Sequence, residues 1–177
     1  TPMRYAWTFY DEYFGGNPAK KALLQPMLAR MRAWDRAASE RVDRFVAISQ
    51  HVRRRIREFY GREADVVYPP IDLDYYTPGG QPPQADFDLV VSALVPYKKI
   101  DLAVRAYNRS GYPLRIVGVG TEMKTLRRMA ADNIEFLGWQ SNDAIRELYR
   151  NCRLLVFPGE EDFGLVPVEV QACGRPV

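Results

Sequence analysis

Histidine is almost missing from this 177-residue chain, which has one, His51. That excludes a histidine-rich metal site. Cysteine is nearly as scarce. Cys152 and Cys173 form neither a disulfide framework nor a metal-binding spacing, and both sit in apolar stretches, which reads as buried thiols in a reducing compartment. Long apolar runs are absent. The run Leu154-Leu155-Val156-Phe157 is typical, and nothing approaches the roughly 20 residues of a membrane-spanning helix. No basic-then-apolar leader opens the chain, and its first residue is Thr, not Met. Internal repeats and low-complexity tracts are also lacking.

What is present is a large apolar fraction, 47%, with aromatic residues spread along the whole length. Disorder is excluded as the main state. The length suits one full domain or pieces of two. The net charge of +3 is uneven. Residues 1–72 carry 13 Lys/Arg against 9 Asp/Glu, whereas residues 73–177 carry 12 against 13. The first segment therefore favours an anionic partner or surface.

Residues 1–19 are rich in aromatics and turn formers and read as a loop. Apolar residues at helical spacing, Leu23, Leu24, Met27, Leu28, Met31 and Trp34, predict a helix over 20–43. A short strand over 44–48 follows. Ser49 is a helix N-cap residue, Val52, Ile56 and Phe59 or Tyr60 share a face, and Gly61 stops a helix over 50–60. A strand over 65–68 ends at Pro69-Pro70. The stretch 77–84 is the most turn-rich in the chain and marks a domain boundary. Beyond it strands and helices alternate: strands over 88–94, 114–117, 134–137 and 154–157, helices over 99–108, 122–131, 143–150 and 167–173. Such alternation indicates βαβ units and a parallel sheet.

Ligands of doubly wound sheets bind at the carboxyl ends of strands, near helix N-termini, so the strand-to-helix loops matter most. The loop 92–99 ends in Lys98-Lys99. Lysine is unfavourable at a helix N-terminus, which points to a nearby anion such as a diphosphate; a solvated lysine pair is the plainer reading. Gly118 and Gly120 allow close backbone approach and free amides, or simply make a connection. Trp139 would border a base or pack in the core. The loop 158–169 is the most informative. Three acids, Glu160-Glu161-Asp162, precede Phe163-Gly164-Leu165; Pro167 suits a first helical turn, and Glu169 falls within that turn. Glu161 and Glu169 can face one cleft, where carboxylates accept hydrogen bonds from sugar hydroxyls and the amides of Phe163, Gly164 and Leu165 add donors. A favourable interaction with the helix dipole accounts for Glu169 equally well. His51, in a first helical turn, reads as a surface or capping residue. Arg53-Arg54-Arg55 and Arg57 form the polar face of their helix, either solvated or attracted to an anionic membrane or a lipid-diphosphate.

Glu161-Asp162-Phe163-Gly164-Leu165, with Glu169 four residues on and Ala172-Cys173-Gly174-Arg175-Pro176-Val177 after it, resembles the E-x7-E signature of retaining glycosyltransferases of family 4. The stretches 45–52, 67–72 and 91–98 are similar to the family's last N-terminal helix entry, its crossing between domains and its phosphate loop. The opening Thr-Pro-Met-Arg-Tyr-Ala-Trp is similar to the acceptor-side segment of the branch that transfers mannose in O-antigen and exopolysaccharide synthesis.

The resemblance implies a GT-B fold, two Rossmann-like α/β domains with parallel sheets flanked by helices, both incomplete in this chain. Residues 1–74 would be the C-terminal part of the acceptor-side domain, 75–85 a linker, and 86–177 the N-terminal half of the donor-binding domain. It implies that Glu161 contacts the transferred sugar and acts in catalysis. Glu169 would hold the nucleotide ribose, Lys98 the diphosphate, and Phe163, Gly164 and Leu165 the sugar, with Gly118 and Gly120 beside the donor. Arg4, Tyr5 and Trp7 would lie on the acceptor side. The donor would be a nucleotide-sugar, GDP-mannose by the branch resemblance, and the acceptor a glycan or lipid-diphosphate. No cofactor and no metal is required in the family. No nucleic-acid partner is implied, and the location would be cytoplasmic, peripheral at the inner face of the membrane.

The sequence also departs from the pattern. Many family members carry an arginine five residues before the lysine; here Ala93 stands there, and the diphosphate loses a partner. The family's histidine before the opening segment and its glycine-rich N-terminal loop are not in this chain, and family chains are about twice as long. These features suggest an internal piece of a longer enzyme. Two other readings stay open: a non-catalytic nucleotide-sugar or glycan-binding module, and a GT-B sugar epimerase.

Overall fold

The computed structural model describes residues 3–8, 18–80 and 86–177, without the side chains of Tyr5, Pro18, Lys20 and Lys21. The chain divides into two compact units, residues 1–69 and 70–177. Residues 75–80, expected in a linker, group with the second unit, and 81–85 lie outside the described residues.

In the first unit, α1 (Arg4–Trp7) lies where the sequence suggested a loop. Its anchor is Asp35 on α2 (Pro18–Ser39). One carboxylate oxygen accepts from the Trp7 indole at 2.8 Å, the Tyr60 hydroxyl at 2.9 Å and the Met3 amide at 3.3 Å. No local periodicity announces such a contact, which is 28 residues distant at Trp7. After α2 come β1 (Phe45–Ala47), α3 (Gln50–Tyr60) and β2 (Ala64–Val66). The strands pair in parallel, Phe45 with Ala64 and Ala47 with Val66. Ser49 caps α3 by accepting from the Val52 amide at 3.1 Å, and Gly61 closes it in the left-handed region, φ 68°. Val52 and Ile56 pack on Ala47 and Ala64. Arg53, Arg54 and Arg57 are exposed, but Arg55 is buried. Three consecutive helical residues sweep too wide an arc to share one face, which corrects the expected all-arginine polar face.

The second unit holds β3 (Asp88–Val91), a 3₁₀ turn (Pro96–Lys98), α4 (Ile100–Ser110), β4 (Leu114–Val117), α5 (Met123–Met129), β5 (Ile134–Gly138), α6 (Asn142–Asn151) and α7 (Leu165–Ala172). The sheet order is β3-β4-β5, all parallel. The strand expected over 154–157 is reduced to a bridge from Leu155 to Leu89, on the free side of β3. On the β3 side the Leu89 amide donates to the Leu154 carbonyl and the Val156 amide to the Leu89 carbonyl, and the next amide in line is that of Pro158, which has no proton to donate. Successive residues of β3 face opposite ways, as the pleat requires. Val90 joins Ile116, Ile134, Val104 and Leu126 under α4 and α5. Leu89 joins Val117, Leu155, Tyr149, Val170 and Cys173 under α6 and α7. Each unit is thus a parallel sheet flanked by helices, the Rossmann-like α/β architecture expected. Cys152 and Cys173 are free and fully buried, and burial pushes the Cys152 thiol up to about 11.

Buried Asp88 fixes the start of β3. Its two carboxylate oxygens accept from the Arg153 guanidinium at 2.8 and 2.6 Å, and the Tyr107 hydroxyl donates to it as well. Chain crossing from β3 goes to β4 on one side and to the Leu155 bridge on the other. A crevice opens at such a reversal, at the carboxyl ends of the two neighbouring strands.

Four tyrosines respond to this burial. Tyr60, Tyr76, Tyr107 and Tyr149 all have hydroxyls raised above the ordinary value, first by desolvation and then by neighbouring carboxylates, Tyr76 to about 12. The unfolded chain releases these protons near pH 10, so the stability they contribute is complete below that pH and is lost as pH rises through the folded values. Chemical denaturation followed from about pH 8 to 12 should show a midpoint that is flat at first and falls above about pH 10. A midpoint unchanged at about pH 12 would contradict this.

Candidate functional site at the carboxyl edge of the sheet

The two loops flanking the reversal are 92–99, after β3, and 158–164, after the Leu155 bridge. They carry Lys98 and Glu161, which form an ion pair with their side chains only 17% and 18% exposed. Both line a small cavity with Val91, Ser92, Phe157 and Gly159. Lys98 is therefore not one of a solvated pair. It ends the 3₁₀ turn, and Lys99 follows with φ 53° as the N-cap of α4.

The first loop is held by backbone packing. The Ser92 amide donates to the Val117 carbonyl at 3.1 Å and the Leu94 amide to the Val119 carbonyl at 3.0 Å; the Leu94 carbonyl accepts from the Glu122 amide at 2.9 Å. Gly118 and Gly120 stand where these strands of chain cross. A β-carbon on Gly118 would overlap the Ser92 carbonyl, and one on Gly120 would overlap Leu94. Gly118 also has φ 130°, which side chains rarely adopt. From the other side Gly159 lies against the lysine itself, where a β-carbon would sit 2.8 Å from the Lys98 carbonyl oxygen. The Gly118 amide is not free: it donates to the Gly138 carbonyl at 2.7 Å. Sequence reasoning missed Gly159 altogether. A glycine directly after a strand and a proline was its only signal.

Phe163 and Gly164 lead into α7, which begins at Leu165 with Gly164 as its left-handed N-cap, φ 88°. The helix starts two residues earlier than expected. Its first-turn amides have no intrahelical acceptors. Pro167, lacking an amide proton, fits within that turn. Glu169 lies beyond it, so the helix dipole does not explain this glutamate. It accepts instead from the Tyr149 hydroxyl of α6 at 3.0 Å, through Oε2. Glu161 and Glu169 thus have different partners, one a cation and the other a phenol. Trp139 does not pack in the core; at 75% exposure it stands in solvent just past β5.

In the first unit, Trp7 is spent on packing. Its indole N–H goes to Asp35, its ring stacks on Phe59 with centroids 4.8 Å apart, and Arg32 and Arg36 lie over its face. Arg4 is on the same short helix, half-buried. The side chain of Tyr5 lies outside the described residues.

Residues 79–177 match the family described as "Glycosyl transferases group 1", and residues 3–75 match "Glycosyltransferase Family 4". The chain belongs to the group 1 glycosyl transferases. An uncharacterized glycosyltransferase of Methanocaldococcus jannaschii is 28% identical over 162 residues, 88% of this chain and 45% of that protein. A D-inositol 3-phosphate glycosyltransferase of Mycobacteroides abscessus is 36% identical over 134 residues, 64% of this chain and 30% of the relative. The chain thus spans less than half the length of these relatives. Among solved structures, Anabaena HepE in complex with UDP and glucose superposes with a TM-score of 0.71 at 21% identity, over 82% of this chain and 46% of that one. TarM superposes with a TM-score of 0.70 at 16% identity, over 84% and 31%. These likenesses establish the GT-B fold. No described helix is long and apolar enough to cross a membrane.

The glycine packing predicts a sharp substitution effect. Gly118→Ala should lower unfolding free energy by about 2–4 kcal/mol, from backbone overlap and a disfavoured φ together. Gly111→Ala, at a helix end with open space around it, should cost about 1 kcal/mol. Equal losses in urea denaturation would show that the crossing is not tight.

Proposed function

We propose that the parent protein is a retaining hexosyltransferase that moves a sugar, mannose by preference, from a nucleotide-sugar to a glycan or lipid-linked acceptor. The observation that carries this reading is the meeting of Lys98 and Glu161 from two loops at the sheet reversal, just before the N-terminus of α7. A nucleotide-sugar presents three parts to such an edge. The diphosphate is anionic and takes Lys98, the sugar hydroxyls take Glu161 and the amides of Phe163, Gly164 and Leu165, and the ribose diol takes Glu169. Gly118 and Gly120 contribute by letting the lysine-bearing loop close onto the sheet.

In transfer, the bond from the anomeric carbon to the diphosphate oxygen breaks and a bond to the acceptor oxygen forms. The acceptor proton leaves with the departing phosphate. Negative charge grows on the diphosphate in this step, and a positioned cation lowers the barrier most where charge develops. Lys98 is suited to that role because its charge is held in a shielded cleft and is balanced, until donor arrives, by Glu161. Arg4, Tyr5 and Trp7 are proposed on the acceptor side, with Trp7 bracing its short helix. A lipid-linked acceptor would bring the protein to the cytoplasmic membrane face, where exposed Arg53, Arg54 and Arg57 would meet anionic headgroups.

Two donors call for direct comparison: GDP-mannose, from the branch resemblance, and UDP-glucose, because HepE is a UDP and glucose complex. Transfer assays on the parent protein should show one of them consumed with the anomeric configuration kept. Lys98→Ala should lower kcat by about a hundredfold, and Glu169→Ala should act mainly on donor KM. Wild-type rates in both variants would overturn the assignment.

A further inference from the structure

Glu169 is held more elaborately than a surface carboxylate needs. Its Oε2 accepts from the Tyr149 hydroxyl at 3.0 Å. Tyr149 is 1% exposed and locked among Cys152, Leu155, Val170 and Cys173, so its hydroxyl has one direction available. A second phenol approaches from a different element. Tyr76 packs on Tyr149 with ring centroids 6.0 Å apart. Burial and the nearby charge of Glu169 raise its hydroxyl to about 12.

The segment that carries Tyr76 is itself clamped. Arg150, the next residue after Tyr149 on α6, donates to the Thr77 carbonyl at 2.8 Å and to the Thr77 hydroxyl at 2.7 Å. Tyr75 donates to Asp143, at the start of the same helix, at 2.8 Å. Asp72 accepts from the Asp74 and Tyr75 amides and fixes the turn before it. Helical side chains point back toward the N-terminus of their helix, so the carboxylate of Glu169 is directed toward the first turn of α7. With Oε2 tied to phenol, Oε1 remains for a ligand, since a carboxylate has about four acceptor positions.

We infer that Tyr149, by its hydrogen bond, and Tyr76, by bracing Tyr149, are positioning residues that fix the rotamer of Glu169, and so set how strongly the protein grips the vicinal hydroxyls of a nucleotide ribose. This inference rests on the proposed role of Glu169 and adds two residues to it. A phenol donor is well matched to that role, since Tyr149 offers one proton to the carboxylate without bringing a countercharge, while Tyr76 braces its ring.

The test is a comparison of nucleotides in calorimetry with the 177-residue chain. UDP and GDP are set against their 2′,3′-dideoxy forms, for the wild type and for Tyr149→Phe, Tyr76→Phe and Glu169→Gln. The wild type should prefer the ribose forms by about tenfold or more, and Glu169→Gln should abolish that preference. Tyr149→Phe should reduce the preference about threefold to tenfold, and Tyr76→Phe by a smaller factor, while the dideoxy affinities stay unchanged. A merely structural role would weaken both nucleotide forms alike, and that result in both tyrosine variants would overturn the inference. So would an unchanged ribose preference in both. Should Tyr149→Phe fail to fold, Tyr76→Phe decides alone. A ribose preference that survives Glu169→Gln removes the role of Glu169 itself, and the inference with it. Absence of binding by the wild type does the same.

Discussion

The contact on which the site depends is backbone against backbone. Loop 92–99 lies on the chain at Gly118 and Gly120 from one side and at Gly159 from the other, so closely that no β-carbon fits between. Protein interiors tolerate little rearrangement at such density, and a loop pinned at three points has little freedom left. The position of Lys98 follows from that constraint rather than from its own side chain. Glu161 then follows from Lys98, because a carboxylate placed mostly out of water needs a partner close by. The strands supply the platform, the glycines bring the loops together, and the charges settle last.

Much of the architecture was legible because its signals are local. Ser49 and Gly61 bracket α3 as capping chemistry requires, and the alternation of strands and helices after residue 86 yields the parallel sheet. What escaped was long-range. The helix at Arg4–Trp7 exists because Asp35 collects an indole, a phenol and an amide, a convergence no window of neighbouring residues displays. Arg55 looked like its neighbours but turns inward, which angular spacing alone would have indicated. The fourth strand is a bridge because the next position that would donate to β3 is Pro158, which has no amide proton.

The site was legible in part for the same reason. Motif spacing singled out Lys98, Glu161 and Glu169, and the fold brings the first two together. Glycines were harder to interpret. Gly118 suggested a free amide for a ligand, yet that amide belongs to Gly138 and the missing side chain is the useful feature. The same residue type serves ligand approach and chain crossing, and only the folded chain separates the two. Tyr149 carried no signal of its own, since a tyrosine at an apolar helical position reads as core until its hydroxyl partner is known, and Tyr76 lies in a turn with no periodicity to mark it.

On the roles proposed for them, the two glutamates eight residues apart need two kinds of support. Glu161 stands in a loop, where its orientation depends on what it touches. A cation can both fix it and cancel its charge, as Lys98 does. Glu169 stands inside α7, where the backbone already sets its direction. It needs a donor that orients the carboxylate without neutralising it, because an unneutralised carboxylate is the stronger acceptor for hydroxyl groups. Exchanging the partners would fail on both counts. A lysine beside Glu169 would compete with the diol for the carboxylate. A phenol beside Glu161 would leave a net negative charge at the proposed entry point of the diphosphate. On the proposed roles, the pairing of a loop acid with a cation and a helix acid with a phenol would let one short segment meet both an anionic and a hydroxylated part of the same donor.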